Sequence, residues 1–273
     1  MYKYCFFEDR ITDSNKPLIN LDDIAILRGY AAFDFLRIYN SEPFAFDDHF
    51  KRLENTSKEM NLKLPLNKKE TKEILYKLIK KNKDTNYQVR FILTGGKTIQ
   101  GMKPSKPVFY ILFEKFMDLP KNVYKNGASL ITNNYQRLLA SSKNSNYLNA
   151  VLLQKEKDSS KAVEILYINN NKVLECSTSN IFIIKNKTLI TPDKNILKGV
   201  TRKNILEIAE KNKIKTKERD VKISEMKNAD EVFITATNKK VVPIIKIDDF
   251  KISDGKVGEI TNFLLQEYNN LIK

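Results

Sequence analysis

The sequence predicts two α+β domains, because segments typical of strands and of helices alternate in both halves of the chain. The length of 273 residues suits one large domain or two modest ones. Between residues 116 and 126, Pro120 and several lysines interrupt the apolar pattern, which predicts a linker. We therefore expect an N-terminal domain at residues 1–118 and a C-terminal domain at residues 119–273.

The N-terminal half begins with a region of mixed character and continues with two helices. Residues 27–39 combine aromatic and small side chains with charges, which is typical of a loop that enters a strand. Asp47 or Asp48 can cap the first helix. The apolar positions expected to face the core are Phe50, Leu53 and Met60 in the first helix, and Ile74, Leu75, Leu78 and Ile79 in the second. Strands are predicted at 87–93 and 108–113, on either side of a Gly95-Gly96 loop.

The C-terminal half reads mainly as short apolar strands divided by Asn/Lys turns. A helix is predicted from residue 201 to about 212, and a second helix ends the chain. The predicted strands are 128–132, 163–168, 173–175, 181–184, 188–190, 231–235 and 241–247. The expected buried positions of the last helix are Ile260, Phe263, Leu264 and Leu271.

The composition argues against several classes of protein. A hydrophobic fraction of 41% with 15 Phe is ample for a packed core, so a disordered chain is not expected. No apolar run is long enough to cross a bilayer, and the first ten residues lack a signal-peptide apolar region, so we expect a cytoplasmic protein without a membrane partner. Two Cys and one His argue against a disulfide framework and a structural zinc site, so no metal is expected.

The net charge of +15 has two interpretations, a nucleic-acid-binding surface or a lysine-rich solvated surface. The lysines are scattered, the arginines stand singly, and no Arg-aromatic RNA signature is present. We favour the solvated surface and expect no nucleic-acid partner. Positive charge would also attract an anionic cofactor or an acidic substrate.

Three short motifs between residues 141 and 202 together suggest a cofactor site. Lys143 lies in the polar run Ser-Ser-Lys-Asn-Ser-Asn-Tyr, Glu175 ends the apolar run Val-Leu-Glu, and Gly199-Val200-Thr201 opens a helix. They offer an amine, a carboxylate and an anion site. Pyridoxal phosphate enzymes need a Schiff-base lysine, an acid facing the pyridine nitrogen and a phosphate cradle. Arg52 could add an ionic partner for that phosphate.

Each of these residues also has an ordinary structural interpretation. Lys143 could be a surface lysine, Glu175 a glutamate at a strand edge, and Arg52 a surface arginine on a helix. Helix starts such as the one at Gly199 are common. The motifs therefore gain their meaning from occurring together.

Considered together, the motifs resemble those of the class IV aminotransferases, the fold-type IV pyridoxal phosphate enzymes. The matching segments are 28–37, 49–53, 143–147, 175–182, 191–192, 196–202 and 229–237, with Pro243 beyond them. They cover nearly the whole chain and occur in the family's order. Each motif alone is weak, but the set is highly specific.

The resemblance implies a small N-terminal and a larger C-terminal domain, with pyridoxal 5'-phosphate bound between them in a homodimer. It implies that Lys143 forms the Schiff base and later shuttles a proton at the substrate Cα. It also implies a role for Glu175 at the pyridine nitrogen. The other implied cofactor contacts are Arg52, Val200, Thr201 and Thr237 at the phosphate, with Leu197 at the ring face and Ala236 beside them. The implied substrate contacts are Arg28, Phe33, Gln88 and Arg90.

Three subfamilies share this pattern: branched-chain aminotransferases, D-amino-acid transaminases and aminodeoxychorismate lyases. Branched-chain enzymes usually carry a tyrosine at the position of Gln88, and three residues, rather than two, between the lysine and the asparagine that correspond to Lys143 and Asn146. The usual Arg-x-His carboxylate trap of D-amino-acid transaminases is missing from residues 94–101. Arg28 and Arg90 could replace it, Arg28 by reaching the site of the neighbouring subunit and Arg90 in its own subunit.

The resulting hypothesis is transamination between an amino acid and a 2-oxo acid such as 2-oxoglutarate, with a D-amino acid favoured. A branched-chain L-amino-acid aminotransferase comes second and an aminodeoxychorismate lyase third. The alternative that is not an enzyme is a basic binding protein on the same fold.

Overall fold

The computed structural model describes residues 1–17 and 19–272, which fall into two compact units. The first unit consists of Met1–Met117 and the short segment Ser142–Asn146. The second consists of Asp118–Ser141 and Tyr147–Lys273. Both units contain helices and strands, which confirms the predicted α+β class.

The first unit is built on one antiparallel sheet. Its elements are β1 (Tyr4–Phe7), β2 (Arg10–Asp13), α1 (Ile24–Arg28), β3 (Ala31–Tyr39), β4 (Glu42–Pro43), α2 (Phe46–Glu59), α3 (Lys68–Asn82), β5 (Tyr87–Thr94), β6 (Thr98–Ile99), β7 (Lys103–Pro104) and β8 (Val108–Lys115). The sheet has the order β2-β1-β8-β5-β3-β4, and β6 and β7 form a separate ribbon. Helix α2 packs on β3, so that Leu36, Phe50 and Leu53 lie in one buried cluster.

Local sequence explains the two long helices of this unit. The Asn67 side chain accepts from the Glu70 N–H at 3.0 Å, and Glu70 accepts from the Asn67 N–H at 2.8 Å, so a capping box begins α3. Neither Asp47 nor Asp48 caps α2, contrary to expectation, because the N-cap is Ala45. Both acids instead lie in the first turn, where their negative charges interact favourably with the positive end of the helix dipole.

The predicted core positions of these helices are largely confirmed. Phe50, Leu53, Met60, Leu75, Leu78 and Ile79 are buried, while Ile74 is partly buried. Residues 27–39, predicted as a loop that enters a strand, contain the end of α1, a short connection and strand β3. Helix α1 ends at Arg28, and Gly29 follows with a φ of 66°, which lets the chain turn directly into β3.

The second unit is built on a larger sheet of parallel and antiparallel strands. Its elements are α4 (Lys121–Asn126), β9 (Ala128–Asn134), α5 (Leu148–Leu152), α6 (Gln154–Ser159), β10 (Glu164–Asn169), β11 (Lys172–Cys176), β12 (Asn180–Lys185), β13 (Thr188–Thr191), α7 (Val200–Lys211), β14 (Thr216–Glu218), β15 (Val221–Lys222), α8 (Ile223–Lys227), β16 (Glu231–Ala236), β17 (Lys240–Ile247), β18 (Phe250–Lys251) and α9 (Glu259–Leu271). The order is β14-β13-β12-β16-β17-β9-β10-β11-β15, and β18 pairs with β17. Helices α7 and α9 pack against each other and against this sheet.

The boundary between Met117 and Asp118 lies inside the predicted linker at 116–126, but two details of this half were wrong. The predicted linker at 116–126 contains helix α4, which begins directly after Pro120, where a missing backbone N–H costs little. Leu271 is 52% exposed at the end of α9, while Leu264 and Tyr268 supply the buried face.

The segment Ser142–Asn146 joins the first unit by pairing with the start of β3. The Phe33 N–H donates to the Lys143 carbonyl at 2.9 Å, and the Ser145 N–H donates to the Ala31 carbonyl at 3.0 Å. The Thr56 hydroxyl on α2 accepts from the Lys143 N–H at 3.1 Å. The backbone of Lys143 is therefore fixed between a strand and a helix of the first unit.

Among the residues that the structure describes, no helix combines the length and apolar character needed to span a bilayer.

Candidate active site

Lys143 is a half-buried lysine held above an aromatic ring. Its Nζ lies 4.5 Å from the centroid of the Phe33 ring, within the range of a cation–π contact. Its neighbours Ser142 and Asn144 are buried, and the Ser142 hydroxyl donates to Glu59. The Lys143 side chain therefore has ordered neighbours. One of them is Phe33, a substrate contact that the sequence predicted.

Arg52 is not a surface arginine, because it belongs to a buried cluster with Asp34 and His49. Arg52 Nε donates to Asp34 Oδ2 and Arg52 Nη2 donates to Asp34 Oδ1, both at 2.8 Å. His49 Nδ1 lies 2.8 Å from Asp34 Oδ1. The pair with Asp34 uses Nε and Nη2 of Arg52. A further anion could therefore accept a hydrogen bond from Nη1.

Electrostatics within this cluster set the protonation states. Burial alone would raise the pKa of Asp34, but the attraction of Arg52 and the hydrogen bonds from His49 and Arg52 lower it below the usual range. Burial lowers the pKa of His49, the Asp34 carboxylate opposes this change, and the positive charges of Arg52 and Lys143 add to it. Asp34 is therefore ionised and His49 neutral near pH 7. Sequence reasoning missed both residues.

Glu175 is also buried, and both of its oxygens have partners. Arg137 Nε donates to Glu175 Oε1 at 2.8 Å, and the Leu197 N–H donates to Glu175 Oε2 at 2.9 Å. Arg137 Nη2 donates to the Ala140 carbonyl at 2.6 Å. Burial would lower the pKa of Arg137, but the Glu175 charge and hydrogen bond raise it. Sequence reasoning missed Arg137, which carries no local signal of burial.

The turn before α7 is fastened by the Asn180 side chain. Asn180 Nδ2 donates to the Leu197 carbonyl at 2.7 Å, and the Gly199 N–H donates to Asn180 Oδ1 at 3.2 Å. A Cβ at Gly199 would lie 2.2 Å from Asn180 Oδ1, so a larger residue there would push the Asn180 side chain away from these hydrogen bonds. Asn180 was part of a recognised motif, but this role was not predicted.

The N-terminus of α7 is suited to an anion. Its N-cap Gly199 brings no side-chain acceptor among the described residues, and the first turn contains no acidic residue. Val200 and Thr201 are buried at the start of the helix. Backbone N–H groups at such an end attract negative charge.

A buried hydroxyl that has no partner among the described residues lies on β16. Thr235, on β16, pairs with Asn180 across the sheet. Its Oγ1 is buried and makes no hydrogen bond to any residue that the structure describes. Ala236 and Thr237 follow directly. A buried hydroxyl without a protein partner is consistent with a bound ligand.

The predicted substrate residues all lie in the first unit but have different partners. Arg90 donates to Glu114 through Nε at 2.9 Å and Nη2 at 3.1 Å. Gln88 Nε2 donates to the Met117 carbonyl at 3.0 Å. Arg28 is exposed, with its Nε 3.3 Å from the Met102 sulfur. Arg90 thus already has a carboxylate partner, whereas Arg28 Nε meets only a weak acceptor.

Within residues 1–17 and 19–272, no group of three or more His, Cys, Asp and Glu side chains could hold a metal ion.

A family model described as amino-transferase class IV matches residues 31–247. The chain belongs to the class IV aminotransferases. The family resemblance of its motifs is thereby confirmed.

Individual aminotransferases support this assignment. The chain is 30% identical to D-alanine aminotransferase of Listeria innocua over 95% of its own length and 94% of that protein. It is 28% identical to a putative branched-chain-amino-acid aminotransferase of Methanocaldococcus jannaschii, over 97% and 95%. Its structure superimposes on branched-chain amino acid aminotransferase of Escherichia coli with a TM-score of 0.93 at 22% identity, covering 100% and 95%. This last similarity concerns the fold.

The His49 protonation state leads to the first prediction. His49 is the one histidine of the chain, so its ring gives a single set of proton NMR signals. We expect a titration midpoint below the ordinary value of about 6.5. Because the unfolded state then binds more protons, the stability that His49 contributes is present above about pH 6.5 and is lost as the pH falls below it.

The control is the same titration in concentrated urea, where the ring should recover its ordinary pKa. A folded-state midpoint at or above the value in urea would contradict the buried, neutral assignment.

Proposed function

We propose that this aminotransferase binds pyridoxal 5'-phosphate and transfers the amino group of a D-amino acid to a 2-oxo acid such as 2-oxoglutarate. The observation that carries the proposal is the buried Glu175 carboxylate, which Arg137 and the Leu197 N–H hold beside the turn that opens α7. Family membership supplies the reaction type, and these residues supply the donors and acceptors that the cofactor needs.

The donor set fits a phosphate ester. The uncapped N–H groups of Val200 and Thr201 offer hydrogen bonds and the positive end of a helix dipole. The orphaned hydroxyl of Thr235 and the hydroxyl of the nearby Thr237 add neutral donors. Arg52 is proposed as the ionic partner of the phosphate. These residues would hold the phosphate in the proposed site.

The remaining cofactor contacts fit a pyridine ring. Glu175 would hold a proton on the ring nitrogen, and Arg137 orients this carboxylate through their ion pair. Leu197 and Ala236 would pack on the ring. When bound, pyridoxal phosphate supplies an aldehyde for the Lys143 amine and a ring that accepts the electron pair left at the substrate Cα.

Lys143 would then act as the general base at the substrate Cα. Its backbone is fixed by Phe33 and Thr56, so Nζ can move while the main chain stays in place. The Phe33 ring stabilises the ammonium form that results when Nζ takes the proton. Lys143 would deliver this proton to the cofactor rather than back to Cα, and would move a proton in the opposite direction when the 2-oxo acid takes up the amino group.

Preference for a D-amino acid rests on two observations. The D-alanine aminotransferase of Listeria innocua matches the chain over most of its length. Gln88 and the short spacing between Lys143 and Asn146 depart from the usual branched-chain pattern. We propose that Arg28 and Arg90 bind the substrate carboxylates, with Arg28 as the stronger contributor because Glu114 already pairs with Arg90.

We also propose that the protein is a homodimer. Leu148, Val151 and Leu152 on the short helix α5 are 66%, 65% and 71% exposed. Leu138 and Leu139, earlier in the same unit, are exposed as well. Large exposed apolar side chains at helical spacing, as on α5, are typical of an interface, and a second copy would bury them.

A scan of single half-reactions tests the proposed activity. D-alanine, D-glutamate and L-leucine are each added to the enzyme loaded with cofactor, and the absorbance of the bound cofactor is followed. We expect the spectrum to change fastest with a D-amino acid. Lys143→Ala should still bind the cofactor through the phosphate contacts but lose nearly all transamination, whereas Lys155→Ala, an exposed lysine, should behave as the wild type.

Other outcomes would replace the proposal. A preference for L-leucine would favour a branched-chain enzyme, and pyruvate release without an amino acceptor would favour a lyase. A protein that stays colourless with added cofactor would favour a binding protein.

The two candidate carboxylate arginines can be separated by single variants. Arg28→Ala should raise the KM for 2-oxoglutarate about tenfold or more, since a charge-assisted hydrogen bond contributes roughly 1.5–3 kcal/mol. Arg90→Ala should have a smaller effect on KM, because its main partner is Glu114. Arg10→Ala, an exposed arginine of the same unit, is the control. A larger KM effect for Arg90→Ala would reverse the assignment.

The dimer can be tested at α5. Leu152→Glu would place a charge in the proposed interface and should shift the sedimentation-equilibrium mass from that of a dimer toward that of a monomer. Lys155→Glu, on the adjacent helix α6, serves as the control for added negative charge. A monomeric wild type would contradict the proposal.

A further inference from the structure

A second buried acid of the second unit lies outside the proposed contacts to the cofactor. Glu164, at the start of β10, is 2% exposed. Its carboxylate accepts hydrogen bonds from the hydroxyls of Ser177, Thr178 and Ser179, with Ser179 at 3.0 Å. These three residues form the turn between β11, which ends just after Glu175, and β12, which begins with Asn180.

Lys239 completes this cluster from a different turn. Its Nζ lies 2.8 Å from Glu164 Oε1 and 2.8 Å from Thr178 Oγ1, and its side chain is only 11% exposed. The Lys239 N–H donates to the Ala236 carbonyl at 3.1 Å, and the Tyr124 hydroxyl donates to the Lys239 carbonyl at 3.1 Å. The turn between β16 and β17 is thus fixed through both the side chain and the backbone of Lys239.

Stability alone does not explain this pair. Burying two opposite charges costs desolvation that their attraction only partly offsets, and apolar replacements are often neutral or stabilising. A buried pair with several hydroxyl partners does fix geometry, because each oxygen and each proton has a defined direction. Burial would raise the pKa of Glu164, but the charge and hydrogen bond of Lys239 lower it, so the acid stays ionised.

We infer that Lys239, through Glu164, is a positioning residue for cofactor binding. The pair ties the turn at 177–179, which connects Glu175 to Asn180, to the turn that follows Ala236 and contains Thr237. Glu175, a proposed ring contact, and Thr237, a proposed phosphate contact, are thereby held in a fixed position relative to each other. This inference rests on the proposed function, since it assigns Lys239 to the organisation of that same site.

The test measures ligand binding rather than turnover. Apoprotein is dialysed to equilibrium against pyridoxal phosphate, and its melting temperature is recorded with and without inorganic phosphate. Lys239→Met keeps the length of the side chain and removes its charge. We expect the Kd for the cofactor to rise about tenfold and the phosphate-induced rise in Tm to be lost, while kcat at saturating cofactor changes little.

Two further variants make the comparison specific. Lys246→Met removes a half-exposed lysine of β17, the strand that follows this turn. Its partner Asp249 is 3.9 Å away, and the variant should leave the Kd unchanged. Lys239→Arg keeps the positive charge and should recover much of the affinity. If Lys239→Met fails to fold, the double variant with Glu164→Gln, which leaves no unpaired buried charge, should show the same loss of affinity.

The outcomes distinguish this inference from the function on which it rests. If the wild type binds the cofactor and the folded Lys239 variants bind it equally well, Lys239 has no positioning role and the proposed function stands. If the wild type itself does not bind the cofactor, the proposed function fails and this inference fails with it.

Discussion

A buried carboxylate must be satisfied on both oxygens, and Glu175 shows how much structure this requirement determines. Arg137 occupies one oxygen and the Leu197 N–H the other. The bond to Leu197 fixes the turn before α7, and Asn180 fastens the same turn from the neighbouring strand. A chain of hydrogen bonds that begins at Glu175 therefore positions the N-terminus of α7.

Among the residues that the structure describes, three of the four buried acids have a basic partner, while the fourth, Asp23, accepts from the Ala25 N–H and the Thr94 hydroxyl. The pairs are Asp34 with Arg52, Glu164 with Lys239, and Glu175 with Arg137. Removing one member of such a pair leaves an unpaired buried charge, which typically costs about 3–5 kcal/mol. Each pair joins segments that are distant in sequence, so the charges specify which segments meet more than they add to stability.

Much of the fold could be predicted from the sequence because its signals are local. Alternating and continuous apolar runs marked the strands of the second unit, and helical spacing marked the buried face of α3. Helix α4 was missed because six residues with a Pro at the N-cap and several lysines resemble a linker. The motif set identified the family, and with it Lys143 and Glu175 as candidates.

The partners of the candidate residues could not be predicted, since they depend on long-range contacts. Arg137 and Lys239 look like other basic residues of a chain that has 48 of them, and only the folded structure shows that Arg137 is buried and that the Lys239 side chain is 11% exposed. The pairing of Arg90 with Glu114 follows from the register of β5 and β8, which no short motif encodes.

The segment that carries Lys143 has a consequence for how this chain can be divided. Ser142–Asn146 pairs with the start of β3, so the first unit is not contiguous in sequence. A fragment ending at Met117 would leave the backbone groups of Ala31 and Phe33 unpaired at a sheet edge, and such edges recruit strands from other molecules. During synthesis, this edge stays open until the ribosome has added Ser142–Asn146, so the first unit is completed only after residues 118–141 of the second unit have been made.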